Sequence, residues 1–146
     1  MKQRISILEL EPKAYEAMMG LEKYIAQSTI EPSLSEMIRL RASQINGCTY
    51  CIEMHSELVL KHEVQQDKVI ATSTWWESPL FSDKEKAALA MTDEITRITT
   101  GGLSEKTYEE SKKHFSENEI AQLIMLIGTI NTWNRMAIST HMVHKK

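Results

Sequence analysis

Apolar residues recur along this chain at intervals of three to four positions, the period of a helix with one buried face. Long alternations of apolar and polar residues, which would indicate strands, are few. Only five glycines and three prolines interrupt the pattern. The chain is therefore predicted to be all-α, a single compact bundle of about six to seven helices.

The ends of the predicted helices can be placed from prolines, glycines and capping residues. Seven helices are expected at about 12–27, 31–45, 48–63, 66–75, 82–100, 104–114 and from 116 through the apolar run that ends at 130. Two of them begin with a capping box, formed by Ser82 with Glu85 and by Ser116 with Glu119. The helix at 104–114 is polar and is predicted to add little to the core.

The last predicted helix has an unusual pattern, because residues 123–130 are apolar nearly all round the helix. Such a segment has to be covered on every side. In a chain of 146 residues, part of that cover is expected from another subunit, so a homo-oligomer is predicted. Residues 141–146 are predicted to be a frayed helix end.

Length and composition narrow the class of protein. The 146 residues contain no repeat or linker and are predicted to form one domain, 1–146. A net charge of −3 argues against nucleic acid or an anionic membrane as a partner. The start of the chain resembles neither a signal peptide nor a membrane anchor, and no run of eighteen apolar residues occurs. A cytoplasmic location is therefore expected.

Both cysteines of the chain lie close together, directly after the Asn46-Gly47 turn signal. Cys48, Cys51 and His55 occupy positions i, i+3 and i+7 of the predicted third helix, so they share one face. Helical side chains lean toward the N-terminus, which tips the His55 imidazole back toward Cys51. The spacing predicts a reactive site at an exposed helix start.

The cysteine spacing also permits a disulfide. Two α-carbons three residues apart on a helix are about 5 Å apart, within the range that a disulfide can bridge. An ordinary thiol, however, is only a few per cent thiolate at pH 7. Lowering a thiol pKa by two units takes roughly 2.7 kcal/mol, more than a helix N-terminus supplies. An imidazole that accepts the proton would supply the remainder, which gives His55 its interest.

Other interpretations of these residues are open. A Cys-x-x-Cys pair with His55, and with His62 two turns further on, offers donor atoms that suit zinc, but a second pair at zinc-finger spacing is lacking. No metal is therefore assigned. The remaining histidines are interpreted as surface or structural residues. The tryptophans at 75, 76 and 133 are interpreted as core or interface packing.

A longer pattern links these residues: Glu36, eleven residues, then Cys48, Cys51 and His55 as Cys-x-x-Cys-x-x-x-His. This pattern resembles the alkylhydroperoxidase D-like (AhpD-like) branch of the carboxymuconolactone decarboxylase superfamily. The similarity extends to the segments 39–47, 75–79, 81–82 and 131–135. The resemblance thus covers about residues 30 to 140.

The resemblance implies an all-α fold that assembles into trimers or hexamers and a thiol-dependent peroxidase activity on small hydroperoxides. It implies that Cys51 attacks the peroxide and that Cys48 resolves the product into a disulfide. It also implies that Glu36 and His55 form a proton relay. No bound cofactor is expected, and an external dithiol, either a protein or a small thiol, is expected to return the electrons.

One position departs from the family pattern, since Tyr50 stands where better-studied members can carry a histidine. A tyrosine is a poor base at neutral pH, so a second proton carrier is missing. Two other functions are therefore considered. One is a redox sensor or disulfide switch that does not turn over. The other is the lactone decarboxylase chemistry of the superfamily, a lyase activity that does not use a cysteine pair.

Overall fold

The protein is described here over residues 2–143 by a computed structural model. Within that range the regular elements are all helical, which confirms the predicted fold class. The α-helices are α1 (Ile7–Leu10), α2 (Pro12–Ala26), α3 (Pro32–Asn46), α4 (Thr49–Lys61), α5 (Gln66–Ala71), α6 (Asp83–Thr96), α7 (Glu105–Lys112) and α8 (Glu117–Thr140). Short 3₁₀ helices, Thr72–Glu77 and Ile98–Thr100, follow α5 and α6.

Both predicted capping boxes are confirmed. The Glu85 N–H donates to Ser82 Oγ at 3.2 Å, and the Ser82 N–H donates to Glu85 Oε2 at 2.8 Å. Ser116 and Glu119 exchange the same pair of bonds at 3.2 and 2.9 Å. These bonds satisfy N–H groups that the first turn leaves without a partner, and they fix where α6 and α8 begin.

Three elements differ from the prediction. The single turn α1 was not expected, and it is capped by Ser6, whose Oγ accepts from the Glu9 N–H. The helix predicted to reach Trp75 leaves the α conformation after Ala71. The Arg41 guanidinium binds the Ser73 carbonyl at 2.9 Å, which takes that carbonyl out of the helical ladder. Finally, α6 ends at Thr96, and the chain reaches the two glycines through a 3₁₀ turn.

The centre of the bundle is α3, which packs against α4, α6 and α8. Side chains from these helices meet in the main hydrophobic core, where Ile38, Leu40, Leu89, Leu123 and Ile127 are completely buried. The elements that carry the cysteine motif and Glu36 therefore lie against the best-packed part of the molecule.

One side of α8 is not covered by the other residues of the described range, 2–143. Ile124 and Met125 are 42% and 43% exposed, although the rest of this segment is largely buried. This exposed side is the part for which the sequence predicted cover from another subunit. None of the helices in residues 2–143 has the length and apolar character needed to cross a membrane.

The end of α8 is a defined turn. His141 adopts the left-handed conformation (φ 53°), and the Met142 N–H donates to the Ala137 carbonyl at 2.9 Å. Residues 141–143 thus form a capping turn rather than the predicted frayed end. Residues 144–146, which belonged to the same prediction, lie outside the described part of the chain.

A left-handed turn also joins α3 to α4. Gly47 has φ 70° and ψ 34°, its N–H donates to the Gln44 carbonyl, and the Cys48 N–H donates to the Ser43 carbonyl at 3.0 Å. This pair of bonds is a Schellman motif, which closes one helix and reverses the chain within two residues. The turn lets α4 begin at Thr49 and run back along α3.

We expect Gly47→Ala to lower the free energy of unfolding by about 1 kcal/mol, because an L-residue is strained at this positive φ. A Cβ at Gly47 would meet no neighbour within 4 Å, so the cost is conformational. Gly20, inside α2, also has open space around it, and Gly20→Ala should instead stabilise the protein. Urea unfolding of both variants checks this, and a loss at Gly20 equal to that at Gly47 would contradict it.

The polar helix α7 is attached to α6 through Glu94. This carboxylate accepts hydrogen bonds from the Ser104 N–H at 2.7 Å, Ser104 Oγ at 3.0 Å and Thr107 Oγ1 at 2.6 Å. Partial burial acts to raise the pKa of Glu94, but the hydrogen bonds from Thr107 and Ser104 outweigh it and hold the pKa below its usual value. Glu94 thus anchors the N-terminus of α7.

Because the pKa of Glu94 is lowered in the folded state, its stabilising effect is present above pH 4.5, the ordinary value, and is lost as the pH falls through the lowered value. We expect Glu94→Gln to destabilise the protein by about 1 kcal/mol at pH 7. The difference from wild type should shrink toward pH 3. Thermal unfolding across that range measures it, and a difference that grows on acidification would contradict the assignment.

Candidate active site

The two cysteines meet at the start of α4. Cys48 is the N-cap residue and Cys51 lies in the first turn, with their α-carbons 5.3 Å apart. They form a disulfide in the structure. The pair predicted to be able to cycle between dithiol and disulfide is thus observed in its oxidised form.

The cysteines are buried at the helix start, contrary to the expectation of an exposed reactive site, although Gly47 and Thr49 beside Cys48 are exposed. Cys48 and Cys51 are each only 2% exposed. Ala137 near the end of α8 packs against them, together with Tyr50 and Met142. The capping turn after α8 brings Met142 against the cysteines. The sequence of residues 44–55 alone does not predict this contact.

His55 and Glu36 are in direct contact. His55 Nδ1 lies 2.7 Å from Glu36 Oε2, and the histidine is 4% exposed. The Schellman turn at Gly47 runs α4 back along α3, which brings together two side chains that are 19 residues apart. Only the family resemblance predicted that Glu36 acts together with His55.

The bond to Glu36 sets which nitrogen of His55 can take a proton. An ionised carboxylate only accepts hydrogen bonds, so Nδ1 is the donor to it. The second nitrogen, Nε2, then carries the lone pair. His55 lines the same cavity as Cys51, which lies one helical turn earlier on α4.

Two further charged residues, Arg39 and Glu22, lie behind this pair and were not predicted from the sequence. Arg39 donates from Nη1 and Nη2 to the two oxygens of Glu22 at 2.9 and 2.8 Å, and Trp133 Nε1 donates to Glu22 Oε1 at 2.8 Å. Arg39 Nε lies 3.8 Å from Glu36 Oε1. The available signal was an arginine within the apolar stretch of α3, which requires a carboxylate partner but does not identify it.

Cys51 and His55 open into a cavity of about 290 Å³. Apolar and aromatic side chains form much of its wall, and the charged side chains of Glu22, Glu36 and Arg39 also line it. Trp133 belongs to that wall and also packs edge-to-face on Tyr15, with ring centroids 5.3 Å apart. Trp133 was predicted only to pack in the core or at an interface, whereas it also lines this cavity. A cavity of this kind suits a small, largely apolar molecule.

Cys48 lines a different cavity, of about 400 Å³. Its wall includes Glu53, Ile138 and His141, none of which lines the first cavity. The two cysteines of the disulfide thus line two different cavities, which have Tyr50, Ala137 and Met142 in common.

A buried amide network fixes the turn that carries Cys48. Asn46 Nδ2 donates to the side-chain carbonyls of Asn131 and Asn134 at 2.9 Å each, and Asn134 Nδ2 donates to Ser43 Oγ at 3.0 Å. Asn134 is completely buried. This network joins the last turn of α3 to α8, which accounts physically for the burial of two asparagines, Asn131 and Asn134, in α8.

The residues considered for zinc are not brought together. His62 is the exposed C-cap of α4, well beyond His55 along the helix. Within residues 2–143, no three His, Cys, Asp or Glu side chains are arranged to hold a metal ion.

Of the other tryptophans, Trp75 packs edge-to-face on Trp76, whose ring lies beneath the Arg41 guanidinium.

Comparison with known proteins assigns the chain to a family. Residues 12–94 match the carboxymuconolactone decarboxylase family, and the chain belongs to this family, in its AhpD-like branch. Bacillus subtilis YdfG is 35% identical over 139 residues, 95% of each chain. The alkyl hydroperoxide reductase AhpD of Koribacter versatilis is 34% identical over 61 residues, 40% of this chain and 31% of that protein.

Solved structures agree with this assignment. ATU0492 from Agrobacterium tumefaciens, a protein of unknown function with a provisional name as the antioxidant defence protein AhpD, superposes with a TM-score of 0.96. It is 36% identical, with 99% of each chain covered. The debrominase Bmp8, solved with 2,3,4-tribromopyrrole, has a TM-score of 0.82 at 24% identity, over 92% of this chain and 72% of its own. At that identity Bmp8 shares the fold.

We expect Asn134→Leu to lower the free energy of unfolding by about 2 kcal/mol, because it removes the two hydrogen bonds that Asn134 makes to Ser43 and Asn46 at a completely buried position. Thr132, on the exposed side of the same helix, provides a control: Thr132→Val should change stability by less than about 0.5 kcal/mol. Denaturant unfolding compares the two. Equal effects would show that the amide network does not hold the turn.

Proposed function

We propose that this protein is a thiol-dependent peroxidase that reduces small organic hydroperoxides or hydrogen peroxide. The observation that carries the proposal is the Cys48–Cys51 disulfide beside His55, which is itself bonded to Glu36. The proposed cycle uses no bound cofactor. An external dithiol, either a protein or a small thiol, returns the electrons. We place the protein in the cytoplasm, where such thiols are kept reduced.

The proposed cycle begins with the reduced pair. Glu36 orients His55, and His55 Nε2 takes the proton of Cys51. The thiolate attacks the terminal oxygen of the hydroperoxide, the O–O bond breaks, and the alkoxide leaves as the alcohol with the proton held by His55. Cys51 is now a sulfenic acid.

Cys48 completes the oxidative half of the cycle. Its sulfur attacks the Cys51 sulfenic acid, a disulfide forms, and water leaves. The external dithiol then reduces the disulfide, with Cys48 as the proposed point of attack, and is itself oxidised. One hydroperoxide and one dithiol thus give one alcohol, one water and one external disulfide.

The cavity on Cys51 supports organic over inorganic peroxides. Its wall contains Tyr15, Met54 and Trp133, which provide apolar contact surface that hydrogen peroxide cannot use. Within the proposed substrates, organic hydroperoxides of modest size are therefore favoured over hydrogen peroxide.

We also propose that the protein is a homo-oligomer, a trimer or hexamer as the family resemblance implies. The exposed side chains of Ile124 and Met125 support this proposal, because they continue an apolar helix whose remaining faces are buried. A second subunit packed on this side would bury Ile124 and Met125, as expected from the apolar pattern of residues 123–130.

A disulfide switch is the second candidate function. The observation in its favour is the burial of both sulfurs, each in a residue that is 2% exposed, since a buried pair is protected from exchange. A switch consumes one peroxide per subunit, whereas an enzyme continues while reductant lasts.

We expect Cys51→Ser to abolish hydroperoxide consumption, because it removes the attacking sulfur. His55→Ala should slow the reaction roughly 10²–10⁴-fold and shift the rise of the rate to higher pH, because the base is lost. Steady-state reduction of cumene hydroperoxide with excess dithiothreitol measures both. His62→Ala, a change at an exposed position on the same helix, is the matched control and should have no effect. Unchanged rates in both active-site variants would rule out this mechanism.

A further inference from the structure

Three charged side chains lie in a row behind His55. Glu22 on α2, Arg39 on α3 and Glu36 on α3 follow one another, with Arg39 between the two carboxylates. The Arg39 side chain is only 7% exposed, so it depends on these carboxylates for compensation of its charge. It contacts them unequally, binding Glu22 through two hydrogen bonds and approaching Glu36 only to 3.8 Å.

Glu22 is held firmly in this arrangement. Its two oxygens accept three hydrogen bonds, two from Arg39 and one from Trp133 Nε1. Arg39 Nε, by contrast, is buried and has no hydrogen-bond partner among the described residues, although it lies 3.8 Å from Glu36 Oε1. Arg39 therefore retains an unused donor on the side of Glu36. The two hydrogen bonds that its Nη1 and Nη2 atoms donate both go to Glu22.

Glu22 and Glu36 thus compete for the Arg39 guanidinium. This competition affects His55, because Glu36 is also its hydrogen-bond partner. Glu36 Oε2 accepts from His55 Nδ1 at 2.7 Å. A guanidinium binds a carboxylate best through both oxygens at once. If Arg39 were released, its best remaining partner would be Glu36, and a two-point contact would engage the oxygen that now holds His55.

We propose that Glu22 is a positioning residue for the cysteine site, which keeps Arg39 away from Glu36 so that Glu36 remains available to His55. This inference rests on the proposed relay from Cys51 to His55. Trp133 contributes by fixing one oxygen of Glu22. Glu22 acts on the reacting sulfur through three intermediates and touches none of the reacting atoms.

Other titratable groups around His55 and Cys51 do not replace this control. The cavity that both residues line also contains two phenols, Tyr15 from α2 and Tyr50 from α4. Tyrosine is ordinarily uncharged near neutral pH. The helix α8 contributes to this cavity only Ile130, Trp133 and Ala137. Glu53 and His141 lie on the separate cavity beside Cys48.

The test uses a Cys48→Ser background, in which Cys51 is the only thiol of the chain. Thiolate formation is followed by absorbance at 240 nm against pH, and alkylation by iodoacetamide is timed at pH 7. Adding Glu22→Gln should raise the midpoint of thiolate formation by roughly one pH unit and slow alkylation about tenfold, the size expected for loss of one close charge contact. Glu57→Gln, at an exposed position on α4, is the matched control and should leave both unchanged.

The decisive variant removes the competitor as well. In Glu22→Gln with Arg39→Met, nothing draws Glu36 from His55, so the midpoint should return toward that of the background. If Glu22 served only to hold helices together, the double variant would remain impaired. A midpoint that stays high in the double variant, or one that Glu22→Gln does not move, overturns the proposal.

Two additions keep the result interpretable. If Glu22→Gln does not fold, Trp133→Phe removes one donor to Glu22 and should raise the midpoint in the same direction, and no rise would overturn the proposal. His55→Ala in the same background tests the relay itself. A midpoint that moves with His55→Ala but not with Glu22→Gln refutes the role of Glu22 alone. A midpoint unmoved by His55→Ala refutes the relay on which the proposal rests.

Discussion

The reversal of the chain at Asn46-Gly47 is the constraint on which the site depends. A residue in the left-handed conformation ends α3, and two hydrogen bonds then place Cys48 at the start of α4. Because α4 runs back along α3, His55 arrives beside Glu36, 19 residues earlier in the chain. A change of direction at this turn would separate the base from its carboxylate without altering either residue.

The turn is itself held from the side by α8. Asn134 and Asn131 accept hydrogen bonds from the Asn46 side-chain amide, so the position of the cysteines depends on contacts made nearly 90 residues later. Such networks are stable only when each group is satisfied. The same helix supplies Ala137 against the disulfide and Trp133 against Glu22. The long helix α8 therefore serves as a support for the site as well as a core element.

Buried charge in this protein is concentrated on the central helix. Arg39 pairs with Glu22, and Arg41 pairs with Asp93 at 2.7 Å, so two guanidinium groups are buried on α3. Buried ion pairs add little net stability, because the cost of desolvation offsets the attraction. The Arg41 pair holds the 3₁₀ segment after α5 in place through the Ser73 carbonyl. The Arg39 pair lies behind His55, where its value is in orientation rather than in stability.

Much of the fold could be predicted from local signals. The Ser82 and Ser116 capping boxes and the Gly47 turn act within a few residues, and the structure contains all three. The spacing of Cys48, Cys51 and His55 likewise needs only helix geometry. Glu36 required the family resemblance, because its contact with His55 depends on how two helices pack.

Other features of the site have no local signal in the sequence. Glu22, Arg39 and Trp133 lie on three different helices, and their hydrogen bonds span 17 and 111 residues. The burial of the cysteines depends on the turn after α8. These contacts follow from tertiary packing, which periodicity and capping rules do not describe.

Product stoichiometry distinguishes repeated turnover of the cysteine pair with hydroperoxide from a single oxidation. The measurement is the amount of alcohol formed per subunit from an organic hydroperoxide, with metal-free wild-type protein and excess dithiol. We expect many equivalents of alcohol per subunit, formed until the dithiol is exhausted. A yield that stops at one equivalent per subunit, although reductant remains, would contradict it.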